Sequence, residues 1–428
     1  MKVESQDELV GSGLNPIRTV FENGAVFIGK RTSLTPAATI SLAVRAGSMC
    51  DPPDAVGATW LMSRVIDRET VSRPASDIAD ELDNRGITVT VSVTRHVFSL
   101  TCTCLAEDFA PVFSLLGDML MQPSLPAAEI AVRKGEVVTA IRQDLDSPSV
   151  RATESLMALL YPDGHPYGRP TKGTVEGVGA LTRERLVGLH ADRFSPTELS
   201  AVVVGDVDVS RAEALAASVF GLWQRPWPGV VPLASPPMAA ARRRLVIPMM
   251  NKAQADIAYG FTTIRRADPA YEALRLMNNV LGQYSLGGRL GDNIRERQGM
   301  AYYVSSSVDP NVVEGPFAIR AGVSAANVDR AVAAIDEELT RLVADGVTEK
   351  ELNESRTYMI GSLPRALETN AAIATFLQTS EFFGLGVDYD VRLPGLLRAV
   401  TLDEVNAVAR RLIDPARAAV VIAGPYEP

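Results

Sequence analysis

The chain has 428 residues, too many for one ordinary hydrophobic core, so two or more domains are expected. It is 46% hydrophobic and 22% charged, with a formal net charge of -9, a balance that argues against the clustered basic surface that nucleic acid requires. No window offers the 18 or more apolar residues of a membrane span.

The first sixteen residues, MKVESQDELVGSGLNP, contain no apolar core of signal-peptide length. TVFENGAVFIGKR, from Thr19, then reads as a hairpin, with Asn23-Gly24 at a turn where both residues tolerate positive φ. TISLAVRAG follows, alternating through Ile40, Leu42 and Val44. GITVTVSV and HVFSLTCTCL form a second strand pair around Thr94-Arg95. Cys102 and Cys104 lie two apart in that pair and so share a strand face. With Cys50 they read as buried free thiols, which suits a reducing compartment. The expected location is the cytoplasm, or the periplasm if a leader has been removed. The three histidines, His96, His165 and His190, stand at no metal-ligand spacing and read as structural or surface residues.

Trp223 to Ala241 contains Pro226, Pro228, Pro232, Pro236 and Pro237, which deny it a regular helix or central strand. It separates near-equal halves, predicted as domains 1–222 and 242–428 with 223–241 as linker. Arg242-Arg243-Arg244 reads as a solvated run before a strand. AQADIAYGF, AYYVSSSV and GPFAIRAGV are predicted strands, the last two joined by DPNVVE. LGQYSLGGRLG, from Leu281, is a glycine-rich turn without the spacing of a phosphate loop. Asn327 to Asp345 places Val328, Val332, Ile335, Leu339 and Leu342 on one helix face, with Gly346 as its stop.

The halves repeat. LTRERLVGLHADRFSPTELSAVVVGD (181–206) matches VTLDEVNAVARRLIDPARAAVVIAGP (400–425) at an offset of 219, aligning Thr182 with Thr401, Pro196 with Pro415 and Gly205 with Gly424. PAAEIAVRKGEV, from Pro126, matches TEKELNESRTYM, from Thr348, at an offset of 222, and Thr348 with Glu351 spells a capping box. Directly joined strand pairs followed by runs of helices predict an α+β fold. Each domain would be a mainly antiparallel sheet packed against helices.

The two-domain repeat resembles the pitrilysin, insulinase and mitochondrial processing peptidase family. GSMCDPPDAVGATWLMSRVI, HPYGRPTKGT, VVVGDVD and LGGRLGDNIRERQGMAYYVSSS carry the likeness, which spans nearly the whole chain. The resemblance implies a clam-shell of two homologous domains around a cavity. Active members carry H-x-x-E-H for zinc. Here the histidine positions hold Trp60 and Arg64, and the general-base position holds Ser63. The third ligand falls on Ala140, or on Thr139 if the register slips by one. None of these supplies the three N or O ligands of a catalytic zinc. The family's arginine and, seven residues later, tyrosine survive as Arg295 and Tyr302, donors for substrate backbone and oxyanion. Arg297 and Tyr303 stand beside them, but the seven-residue spacing selects Arg295 with Tyr302. The resemblance thus implies a subunit with no cofactor of its own, which supplies Arg and Tyr to a homologous zinc-bearing partner acting on an extended peptide. The alternatives are a silent scaffold, like the core subunits of respiratory complex III, and a peptide-binding protein that never cuts.

Overall fold

The computed structural model describes residues 13–282 and 287–427. The N-terminal stretch read for a signal peptide falls largely outside these, as do residues 283–286 of the glycine-rich turn. Two compact units form. Among the described residues, one comprises 13–141, 170–231 and 363–392; the other comprises 142–169, 232–282, 287–362 and 393–427.

The first unit holds β1 (Ile17–Val20), β2 (Val26–Arg31), β3 (Ala37–Val44), β4 (Thr90–Val93), β5 (Phe98–Leu105) and β6 (Leu199–Gly205), in the order β1-β2-β6-β3-β5-β4. The second holds β7 (Arg243–Pro248), β8 (Ala255–Thr262), β9 (Ala301–Val308), β10 (Pro316–Val323) and β11 (Ala419–Gly424), in the order β7-β11-β8-β10-β9. The five strands from β2 to β4 map one to one onto those from β7 to β9. In each sheet the last strand of its repeat, β6 or β11, pairs parallel on one side and antiparallel on the other. Every other pairing is antiparallel.

The chemistry of the repeat explains its persistence. Thr182 and Thr401 each accept a backbone N–H at their helix start, from Arg185 and Glu404. Gly205 and Gly424 end the matched strands at φ 152° and 144°. A Cβ on Gly205 would lie 2.2 Å from the Ala37 oxygen, and one on Gly424 would lie 2.5 Å from the Ala255 Cα. The neighbouring strand leaves room only for glycine at both places. In the first hairpin Gly24 alone takes positive φ, at 89°, because a wider turn with Phe21 N bonded to Ala25 O (2.8 Å) leaves Asn23 on the ordinary side.

The compact units depart from contiguous halves in two segments. The helix Pro148–Leu160 belongs to the second unit, where Ala152, Leu156 and Leu160 pack on Ala258 of β8 and on Ala419, Val421 and Ala423 of β11. The helix Asn370–Phe382 belongs to the first unit, where Ile373, Ala374 and Leu377 pack on Ile28 of β2 and on Val202 and Val204 of β6. These helices begin at the same offset of 222, so the exchange is itself repeated. Its physical cause is the apolarity of β6 and β11, which are buried throughout or nearly so. Strands buried on both faces need a cover on each. The opposite face of the first sheet, with Phe27, Ile40, Leu42 and Val203, packs into the main core with Leu61, Met62, Phe113 and Phe220.

Candidate functional site

In the first unit, Gly57 sits at φ 98° and starts the five-residue helix Ala58–Met62. A side chain at Gly57 would come within 2.6 Å of the Lys172 carbonyl oxygen. Buried Asp51 tethers this helix start, accepting from the backbone N–H of Gly57 (2.8 Å) and Thr59 (2.9 Å) and from the Thr59 hydroxyl (2.5 Å). Burial pushes the Asp51 carboxyl up to about 6, against the pull of those hydrogen bonds.

Trp60 lies on this helix, and Arg64, four residues on, lies in the turn that follows it. The Arg64 guanidinium lies 4.6 Å from the Trp60 ring centroid, and the Lys172 ammonium lies 5.8 Å from it on a neighbouring segment. Trp60 is half-buried against the main core. Ser63 is buried, and its hydroxyl donates to the Trp60 carbonyl (2.7 Å). Ala140 lies on the helix Ala127–Leu145, whose Val137 and Ile141 join the same core as Leu61 and Met62. The adjacent Thr139 hydroxyl is bonded to Gly135 O (2.9 Å). An indole capped by two cations is a cation–π arrangement, and a dication there would meet repulsion instead of lone pairs. The residues present do not fit zinc. Among the described residues no three His, Cys, Asp or Glu side chains cluster in a way that could hold a metal ion.

The histidines and cysteines have other occupations. His190 bonds the Leu120 carbonyl (2.8 Å), and burial pushes its imidazole down to about 4. Burial does the same to His96. His165 accepts from Tyr167 N through Nδ1 (3.1 Å) and meets Ala234 O through Nε2 (3.0 Å), pinning the HPYG turn. Cys50, Cys102 and Cys104 are buried free thiols that burial raises to about 11 or 12, so they are poor nucleophiles.

In the second unit, Gly291–Arg297 winds as a π-helix, a form often found at functional sites. The glycine-rich segment before it closes tightly: Gly288, at φ 94°, lies so near Gly282 that a Cβ would meet the Gly282 nitrogen at 2.9 Å. Half-buried Arg295 projects from the π-helix with its Nε 3.6 Å from Glu296. Arg297 instead forms an ion pair with Asp292.

Tyr302 is the second residue of the edge strand β9 and is 65% exposed. Ala301 pairs with Val323 and Tyr303 with Gly322, so Tyr302 is the extra residue of a β-bulge. A bulge bends a strand and re-aims one side chain, here a tyrosine turned to solvent. Tyr303 faces the other way and spends its hydroxyl on Asp256. The two adjacent tyrosines thus differ in exposure and in the fate of their hydroxyls. The bulge itself has no signature in the local sequence, because it depends on the register of β10.

This two-sheet arrangement has close counterparts. Residues 26–174 match the model described as insulinase, peptidase family M16, and residues 180–359 match the peptidase M16 inactive domain. This chain belongs to peptidase family M16. Among M16 relatives, an uncharacterized zinc protease of Mycobacterium tuberculosis is 27% identical over 425 residues, covering 97% of this chain and 94% of that protein. An uncharacterized zinc protease of Bacillus subtilis, YmxG, is 25% identical over 396 residues, covering 92% and 95%. Among solved structures, the peptidase M16 inactive domain from Pseudomonas fluorescens superposes with a TM-score of 0.86 at 24% identity, covering 96% and 98% of the two chains. A protease from Helicobacter pylori gives 0.86 at 16% identity, covering 96% and 99%. The M16 likeness thus spans both units.

Proposed function

We propose that this chain is the zinc-less subunit of a two-subunit M16 peptidase, and that it supplies Arg295 and Tyr302 to a reaction whose metal site lies in a homologous partner. The observation that carries this reading is Tyr302: a large phenol, 65% exposed at a bulge of an edge strand, seven residues after Arg295. Tyr302 as packing material would be buried. The positions Trp60, Ser63, Arg64 and Ala140, which offer no zinc ligands, make a partner necessary for cleavage.

The partner's zinc would supply the activated water. In this chain, an extended peptide pairs its backbone with a sheet edge and presents its scissile carbonyl. As water adds to that carbonyl, charge develops on its oxygen, and the Tyr302 hydroxyl and Arg295 guanidinium are fixed donors for it. Buried reduced thiols suit a cytoplasmic setting.

The test is reconstitution. Alone, the chain is inert toward peptides; mixed with a homologue bearing H-x-x-E-H, it restores cleavage. Tyr302→Phe then lowers the single-turnover rate by roughly two orders of magnitude and changes substrate binding much less. Arg295→Ala weakens both. A silent scaffold predicts that both variants assemble and leave the partner's activity intact, and full activity with Tyr302→Phe would overturn the shared-catalysis reading.

A further inference from the structure

Asp256, Gly322 and Tyr303 form a single row across three strands. Asp256 of β8 pairs with Gly322 of β10, and Gly322 pairs with Tyr303 of β9. Direct cross-strand partners share a face of the sheet, and the middle member contributes no side chain to it. A Cβ on Gly322 would lie 2.5 Å from Tyr303 Cε1 and 2.9 Å from Cδ1. The tyrosine ring therefore occupies the space above Gly322, and its hydroxyl donates to Asp256 Oδ1 two strands away. That reach is about 9–10 Å, which only a long side chain covers. Asp256 is buried, and the Gln254 amide donates to its second oxygen (3.4 Å).

The row adjoins the bulge. The next pairing along β10 joins Val323 to Ala301, and Tyr302 is the residue extruded between the two pairings. An extruded residue on an edge strand loses the ladder bonds that would hold it, so its direction depends on how firmly its neighbours are held. Ala301 is held by burial and Tyr303 by this tie.

We propose that the Tyr303–Asp256 hydrogen bond, passing over Gly322, is a positioning device that locks the bulge and sets the direction of the Tyr302 hydroxyl. Its catalytic consequence rests on the reading of Tyr302 as an oxyanion donor. Tyr303 touches no substrate in this scheme; it acts through Tyr302. Burial, followed by the Asp256 carboxylate, pushes the Tyr303 phenol up to about 12, so the donated proton stays in place under ordinary assay conditions.

Two measurements separate this proposal from the reading beneath it. The first needs no partner: 3-fluorotyrosine placed at position 302 of the isolated chain reports its surroundings by fluorine NMR. One resonance is expected in the parent chain. Tyr303→Phe, which keeps the ring over Gly322 and removes only the hydroxyl, is expected to shift or split that resonance. Gly322→Ala, which displaces the ring, does the same. An unchanged resonance in both variants overturns the device, whatever the chain's activity. The second is steady-state kinetics of the reconstituted pair on a quenched-fluorescent peptide library. Tyr303→Phe is expected to lower kcat by about 10-fold to 100-fold while KM stays within about twofold. Asp256→Asn, which retains an acceptor oxygen, recovers most of that loss relative to Asp256→Ala. A moved resonance with kcat unchanged overturns the catalytic use of the device. A moved resonance in a pair inactive even with the parent chain leaves the device standing and refutes the shared-catalysis reading instead.

Discussion

Trp60 and Arg64 make a cation–π contact where the family resemblance would place two zinc ligands. Their i,i+4 spacing, which in H-x-x-E-H points two imidazoles at one ion, here stacks a guanidinium on an indole at 4.6 Å. Elemental analysis of the purified chain should find no stoichiometric zinc. One tightly held zinc per chain, lost on Trp60→Ala, would contradict this account of the first unit. The buried histidines lead to a pH prediction. His96 and His190 fall from 6.5 to about 4 on burial, so the unfolded chain binds their protons first on acidification. Their contribution is present above pH 6.5 and is lost as pH falls toward 4. Asp51 opposes this: its carboxyl, raised to about 6, takes up a proton in the folded state before the unfolded one and returns stability over the same window. Among these three groups the two histidines outweigh the one carboxyl, a loss of roughly 2–4 kcal/mol between pH 7 and pH 4, while Asp67 and Glu198, also raised by burial, offset part of it. Urea midpoints across that range would measure it, and a midpoint that rises on acidification would refute it. His190→Gln should flatten the slope.

Among the elements, the equivalent strands β6 and β11 make the sharpest comparison. Gly205→Ala and Gly424→Ala each place a methyl against backbone of the neighbouring strand, at a φ that L-residues avoid. Each should cost at least about 2 kcal/mol, a large effect for one carbon. Chemical denaturation of both variants would show whether the two sites respond alike; tolerance of one methyl would break the equivalence. The capping box at Thr348 is predicted by its spacing and found, with Glu351 bonded to the Thr348 N–H (2.8 Å). Burial raises the Glu351 carboxyl, but the bidentate Arg289 and the Thr348 donors outweigh it and hold it at about 2. This box therefore works across the neutral range and fails only below pH 4.5. Thr401→Ala removes the matching cap on the helix Leu402–Leu412 and should cost about 1 kcal/mol.

For the whole molecule, the exchanged helices make the halves interdependent. A fragment of residues 1–222 lacks the helix Asn370–Phe382 and leaves Ile28, Val202 and Val204 uncovered. It also loses Gln378, whose side chain donates to Ser41 O (2.8 Å) and Ser200 O (3.1 Å) and accepts from the Ser200 hydroxyl (2.5 Å), fastening that helix to β3 and β6. Expressed alone, the fragment should be aggregated or molten, and co-expression with 223–428 should recover soluble material. A sharp, cooperative melt of the lone fragment would contradict the exchange. No helix among the described residues is long and apolar enough to cross a membrane.

What the sequence alone determined was local and periodic. It carried the strand alternation, the threonine caps, the glycine stops, the proline-rich break and the repeat, because each is written in the spacing of a few neighbouring residues. It also led to the expectation of no zinc at Trp60, Ser63, Arg64 and Ala140, because a ligand must be an N, O or S donor and these side chains offer none in that arrangement. The tertiary structure decided what depends on residues far apart in the chain. Two helices cross to the other unit because β6 and β11 need an apolar cover on both faces. Tyr302 turns outward because the register of β10 against β9 leaves it one residue too many, while Tyr303, its neighbour and chemical twin, turns inward because Gly322 leaves it a path to Asp256. Register is a relation between strands, and no single segment contains it.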